Sequence, residues 1–220
     1  MRVTAARMRE LLKVYFILGS NNCRKNPLEV IAEAIEGGIT LFQYREKGSG
    51  ALVGEEKVKL ARAIQELCQQ HRIPFIVNDD IELALALNAD GVHIGQEDAP
   101  AAVVREKIGD KILGVSVHTR EQAYEAIRQG ADYLGIGPIF ATTTKEDAKE
   151  AAGTTLIKAL REDGLTVPIV GIGGITPDNA RVVMAAGADG VSVITAISLA
   201  DSPVQSTRKL YQAVHSQPEG

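Results

Sequence analysis

Short apolar runs recur along the chain, each followed by a longer stretch in which apolar residues return at three- and four-residue spacing. The runs are VYFIL (14–18), TLFQY (40–44), FIVN (75–78), GVHIG (91–95), ILGVSV (112–117), YLGIG (133–137), PIVGI (168–172) and GVSVI (190–194). Most are apolar at successive positions, as parallel strands covered on both faces require. Between them lie NPLEVIAEAIEGG, VGEEKVKLARAIQELCQQH, DIELALALNA, AAVVREKIG, TREQAYEAIRQG, TLIKALRED and TPDNARVVMAAG, which carry helical spacing. Many of these open on a capping residue or close near a glycine. The alternation predicts an α/β fold, a single (β/α)8 TIM barrel occupying residues 1–220. Residues 1–13 form a short N-terminal helical extension in this reading, and 214–220 a frayed tail.

An internal echo supports the strand count. NADGVHIG (88–95), GADYLGIG (130–137) and GADGVSVI (187–194) each set a small turn and an aspartate before a strand. Asp90, Asp132 and Asp189 therefore fall on the bottom face of the barrel. Barrel chemistry sits beyond the C-terminal strand ends, so these three read as turn and capping residues, not catalytic acids.

Composition narrows the function classes. A chain of 220 residues with 45% hydrophobic residues can bury a large core, and its net charge of -4 gives no electrostatic reason to expect nucleic acid as a partner. Cys23 and Cys68 are too few and too far apart for a disulfide framework, which favours a reduced, cytoplasmic setting. The opening MRVTAARMRELLKV is charged and no apolar run is long enough to span a membrane. The oligomeric state cannot be read from these patterns; a homodimer is the expectation.

The strand ends carry the chemistry. GIGGIT (171–176) and VITA (193–196) match the common barrel phosphate site, in which backbone N–H groups and a short helix N-terminus hold the anion. Gly173 and Gly174 would let the backbone approach it, Ile194 and Thr195 would donate N–H groups, and Thr176 reads as a cap ahead of Pro177. A second cluster combines Arg45 and Lys47 with Thr142, Thr144 and Lys145, more than one monophosphate needs and suited to a diphosphate. Each alone would pass for a surface residue. Asp79 and Asp98 follow neighbouring strands and offer only oxygen, which points to Mg2+, although a structural pair of loop carboxylates would look the same. Asp80 reads as a helix cap. His93 alternates within a strand and could equally be a hydrogen-bonded interior residue, while His118 stands before a Thr119–Gln122 capping box. No nucleophile–base pair is evident. The set suits transfer chemistry with diphosphate as the leaving group, and phosphorylated small molecules as partners.

Seven motifs in order resemble one family. QYREK, VNDD, GVHIGQED, LGVSVHT, GIGPIFATTTK, GIGGITPDN and GADGVSVITAI, covering roughly 14–200, are similar to the thiamine-phosphate synthase (thiamine-phosphate pyrophosphorylase) family. The resemblance implies joining 4-amino-2-methyl-5-hydroxymethylpyrimidine diphosphate to 4-methyl-5-(2-hydroxyethyl)thiazole phosphate, giving thiamine monophosphate and pyrophosphate. It implies that Gln43 contacts the pyrimidine and that Arg45, Lys47, Asn78, Thr142, Thr144 and Lys145 hold the diphosphate. It assigns Asp79 and Asp98 to Mg2+, sets Ser116 beside the reacting groups, and gives Gly174, Ile194 and Thr195 the thiazole phosphate. Thr195 stands where the family usually has serine, keeping a hydroxyl. The implied mechanism is dissociative. A homologous thiazole tautomerase and a non-catalytic phosphate-binding barrel are the rival readings, the first depending on His118.

Overall fold

In the computed structural model, which describes residues 2–142 and 151–216, the eight apolar runs form one closed parallel barrel in chain order. The strands are β1 (Val14–Leu18), β2 (Leu41–Tyr44), β3 (Phe75–Asn78), β4 (Gly91–Ile94), β5 (Ile112–Val117), β6 (Tyr133–Ile136), β7 (Ile169–Ile172) and β8 (Gly190–Val193). Closure comes from β1 pairing with β8, with Tyr15 opposite Ser192. Three observed strands coincide with the expected runs and the other five are shorter by a residue. Their side chains alternate between two cores. Outward residues such as Phe16, Phe42, Val92 and Leu134 pack against the surrounding helices. Inward residues Tyr15, Leu41, Ile76, Ile112, Tyr133 and Val170 fill the barrel itself.

The helices are α1 (Ala5–Leu11), α2 (Pro27–Gly37), α3 (Gly54–Gln70), α4 (Ile81–Ala86), α5 (Ala101–Ile108), α6 (Arg120–Arg128), α7 (Thr155–Glu162), α8 (Ala180–Ala185), α9 (Thr195–Ser198) and α10 (Pro203–His215). Asn26 and Asp80 cap α2 and α4 by accepting from Leu28 and Leu83 N–H. Thr119 caps α6, while Gln122 returns to the His118 N–H, one residue beyond the ordinary capping box. α8 corrects an expectation: its cap position is Asn179, and Thr176-Pro177-Asp178 form a turn ahead of it. α10 runs to His215 with Val214 buried, past the expected start of the tail. None of the described helices is long and apolar enough to cross a membrane.

α1 plugs the bottom of the barrel. Met8, Leu11 and Leu12 join the inward core, and a Cβ on Gly190 would meet the Leu12 carbonyl oxygen at 1.7 Å. The three repeated aspartates stand at this end. Asp90, Asp132 and Asp189 send a backbone N–H to the carbonyls of Phe75, Leu113 and Ile169, at the start of β3, β5 and β7, and each carboxylate accepts that residue's N–H at 2.8 Å. Asp132 also binds Arg2 and Arg105, and Asp189 binds Arg9 and Arg161. Their role is structural, as the turn pattern implied.

Candidate active site

The opposite end opens into a cavity of about 670 Å³. Of the residues expected from sequence, Arg45, Lys47, Asn78, Asp79, Asp98 and Ser116 line it. Thr142, Gly174, Ile194 and Thr195 line the same cavity. Thr144 and Lys145 lie outside the described residues. Gln43 is the displaced one. It is 1% exposed and does not line the cavity, because its side chain turns inward and donates from Nε2 to Tyr15 Oη at 2.6 Å.

The basic cluster and the paired carboxylates meet in one place. Lys47 Nζ lies 2.8 Å from Asp79 Oδ2. The Asp79 hydrogen bond keeps the Lys47 ammonium above its ordinary pKa. Asp79 is itself raised: burial acts most strongly, Lys47 opposes it, and the adjoining Asp98 carboxylate adds to the rise. Asp98 is anchored by accepting the Gly95 N–H at 2.6 Å. Asp79 holds a left-handed backbone with φ of 60°, unusual without glycine, and its N–H is fixed to the His93 carbonyl. Asp80 faces away. Burial would raise its pKa, but Lys57 and the Leu83 N–H outweigh that and lower it.

Two carboxylates in contact, both oxygen donors, form an arrangement that a hard divalent cation relieves. No described group of three His, Cys, Asp or Glu could form a cage of protein ligands. Two carboxylates suit Mg2+, which keeps waters and shares substrate phosphates.

The Gly173–Gly174 turn follows β7 with φ of 98° and 62°. A Cβ on Gly173 would lie 2.5 Å from Pro138 Cβ, and one on Gly174 would lie 2.7 Å from the Ala141 carbonyl. Glycine is thus demanded by both conformation and close approach. Asn179, missed by the sequence reading, fastens this turn: Nδ2 donates to the Gly174 carbonyl at 3.0 Å and Oδ1 accepts the Thr176 N–H. Glu46, also missed, ties two loops by accepting from the Ser20 N–H, Ser20 Oγ and the Leu52 N–H. Its sequence signal was a carboxylate set between Arg45 and Lys47.

His93 is the hydrogen-bonded interior residue that its alternation allowed, at 9% exposure. Its Nδ1 lies 2.9 Å from Tyr133 Oη and its Nε2 2.8 Å from Ser116 Oγ. The Ser116–His93 contact was not evident from sequence; it forms because β4 and β5 pair side by side with both residues pointing inward. His118 Nδ1 lies 3.1 Å from the Gly137 carbonyl.

Comparisons with known proteins bear on the family and the fold. Residues 14–197 match the family model for thiamine monophosphate synthase. A thiamine-phosphate synthase of Bacillus mycoides is 61% identical over 214 residues, covering 97% of this chain and 98% of the relative. One from Bacillus thuringiensis subsp. konkukian is 60% identical over 213 residues, 97% of each chain. The solved thiamine phosphate pyrophosphorylase of Pyrococcus furiosus superposes with a TM-score of 0.84 at 36% identity, covering 94% of this chain and 97% of its own. A 3-hexulose-6-phosphate synthase structure, at 17% identity and a TM-score of 0.65, shares the fold alone. With most of its length matched and its barrel superposed, this chain belongs to the thiamine monophosphate synthase family.

Proposed function

We propose that this chain condenses 4-amino-2-methyl-5-hydroxymethylpyrimidine diphosphate with 4-methyl-5-(2-hydroxyethyl)thiazole phosphate, releasing thiamine monophosphate and pyrophosphate. The observation that carries the reading is the meeting of Arg45, Lys47, Asp79 and Asp98 in one cavity with the Gly173–Gly174 turn. Arg45, Lys47, Asn78 and Thr142 hold the diphosphate, with Thr144 and Lys145 assigned there from sequence. Gly174, Ile194 and Thr195 hold the thiazole phosphate through backbone N–H groups and a hydroxyl. Asp79 and Asp98 hold Mg2+, which when bound offsets charge on the departing diphosphate.

The C–O bond of the pyrimidine methylene breaks and its electron pair leaves with diphosphate, assisted by the ring amino group. The thiazole nitrogen lone pair then forms the C–N bond. That nitrogen loses no proton, so no protein base is consumed. Arg45 and Lys47 stabilise the leaving group electrostatically, and Ser116 contacts the pyrimidine beside the reacting carbon. The doubled anion site weighs against a tautomerase, which needs one phosphate grip; a passive binding barrel would hold both ligands without turnover. The reaction is placed in the cytoplasm, consistent with two free cysteines, in one catalytic domain that acts as a homodimer.

The test mixes purified protein with both substrates, in Mg2+ or in EDTA, and follows both products. Equimolar, Mg2+-dependent appearance of thiamine monophosphate and pyrophosphate is expected. Intact substrates with folded protein would sink the synthase reading.

A further inference from the structure

A line of hydrogen bonds crosses the barrel beneath the cavity. Gln43 Nε2 donates to Tyr15 Oη at 2.6 Å, Tyr15 and Tyr133 hydroxyls meet at 2.8 Å, and Tyr133 reaches His93 Nδ1 at 2.9 Å. His93 Nε2 then reaches Ser116 Oγ at 2.8 Å. Tyr15 is 1% exposed and Tyr133 is fully buried. Five strands contribute one residue each. Two glycines make room: a Cβ on Gly114 would lie 2.3 Å from Tyr133 Oη and 2.5 Å from His93 Nδ1, and one on Gly135 would lie 3.1 Å from His93 Cε1. Space is kept open for this line inside a mostly apolar barrel core.

The direction of the first bond sets all the others. Each phenol has one proton, and burial holds both far above the usual tyrosine pKa, so both stay neutral. Tyr15 accepts from Gln43 and must give its proton to Tyr133. Tyr133, already accepting, gives its proton to His93 Nδ1. The imidazole then carries hydrogen on Nε2 and donates it to Ser116 Oγ. The serine hydroxyl accepts from within and directs its own proton into the cavity.

We propose that Tyr15, Tyr133 and His93 are positioning residues that present Ser116 to the substrate as a hydrogen-bond donor. The assignment rests on the synthase reading for what Ser116 meets. His93 is thereby not a base for Ser116: the nitrogen facing the hydroxyl already bears a proton. Ser116 instead offers that proton to an acceptor on the pyrimidine, a ring nitrogen or the bridging oxygen. The line fixes the donor without an ionised group in the barrel core, where an unpaired charge would be costly.

Two measurements test this. Nitrogen NMR of ring-labelled histidine, with His93 assigned by its loss in His93→Gln, reads the tautomer without reference to activity. Hydrogen on Nε2 with an accepting Nδ1 is expected; hydrogen on Nδ1 would overturn the proposal. Steady-state kinetics then compare Tyr133→Phe, Tyr15→Phe, Ser116→Ala and the Ser116→Ala/Tyr133→Phe double variant. Tyr133→Phe should lower kcat about tenfold, the loss of roughly one well-placed hydrogen bond, with the KM for thiazole phosphate within about twofold. Tyr15→Phe, one link further away, should cost less. In the double variant Tyr133→Phe should add nothing to Ser116→Ala, because its effect runs through that hydroxyl. A merely structural tyrosine would give multiplicative losses, and that result, or unchanged kcat in Tyr133→Phe, would overturn the proposal. An inactive wild type would sink the synthase reading instead, leaving the tautomer to decide the line.

Discussion

The sharpest stability test concerns Asp132, because chain position alone assigned it to structure and not chemistry. Its carboxylate is 4% exposed and accepts from four donors: Arg2 Nε and Nη2 on Oδ1, Arg105 Nη2 and the Leu113 N–H on Oδ2. Asp132→Ala strands the Arg105 guanidinium, 16% exposed, beside a buried N–H. Removing one partner of a buried pair costs about 3–5 kcal/mol. Arg105 also donates to the Gly109, Lys111 and Gly130 carbonyls, so the lower end, about 3 kcal/mol, applies here. Asp132→Asn keeps one oxygen, which should stay with Arg105 and Leu113 while the amide group turns to Arg2. Arg2 is 43% exposed and can retreat to water, so this variant should lose only about 1–2 kcal/mol. Arg2→Ala in that background should then add almost nothing. The chain has no tryptophan, so urea unfolding followed by far-UV circular dichroism is the assay. In all three variants kcat should stay within about twofold where the protein is folded, since the site lies at the other end of the barrel. A normal urea midpoint with collapsed kcat would refute the reasoning and return Asp132 to the chemistry.

Two further perturbations probe the rim. Glu46→Gln sets an amide group against donors that now all meet carboxylate oxygens, the Ser20 N–H, Ser20 Oγ and the Leu52 N–H. The loosened loop should raise the KM for the pyrimidine diphosphate about tenfold, the equivalent of one charge-assisted hydrogen bond, in steady-state assays. Gly174→Ala forces a side chain into φ of 62° and to 2.7 Å from the Ala141 carbonyl. Left-handed strain of about 1–2 kcal/mol plus that contact should raise the KM for thiazole phosphate about tenfold or more, leaving the other substrate's KM within about twofold. Equal rises for both substrates would deny the turn its separate role.

The barrel was legible because its cause is local. Each strand is covered on both faces and so reads as a short apolar run, and each bottom-face aspartate sits at a fixed offset before its strand. Rim residues were legible for the same reason: an anion site at a strand end places Arg45, Lys47 or Gly174 beside a recognisable run. α10 escaped notice although Ser202 and Pro203 open it with a cap and a proline, because its inward residues carry no strand to follow. The interior line was hidden for a deeper reason. Tyr15 lies in VYFIL and Tyr133 in YLGIG, where either tyrosine reads as another core side chain. Their contact spans 118 positions and exists only after β1 and β6 are wrapped around one axis. What the sequence did hold was the room made for it. β5 and β6 each set a glycine two residues from a polar or aromatic inward residue, as Gly114 with Ser116 and Tyr133 with Gly135. A strand interior weakens with each glycine, so two in neighbouring strands mark a place where something else must pass. Gln43 illustrates the consequence. Its substrate contact was implied by resemblance alone; in the structure its amide donates to Tyr15 Oη, at the opposite end of the line from Ser116.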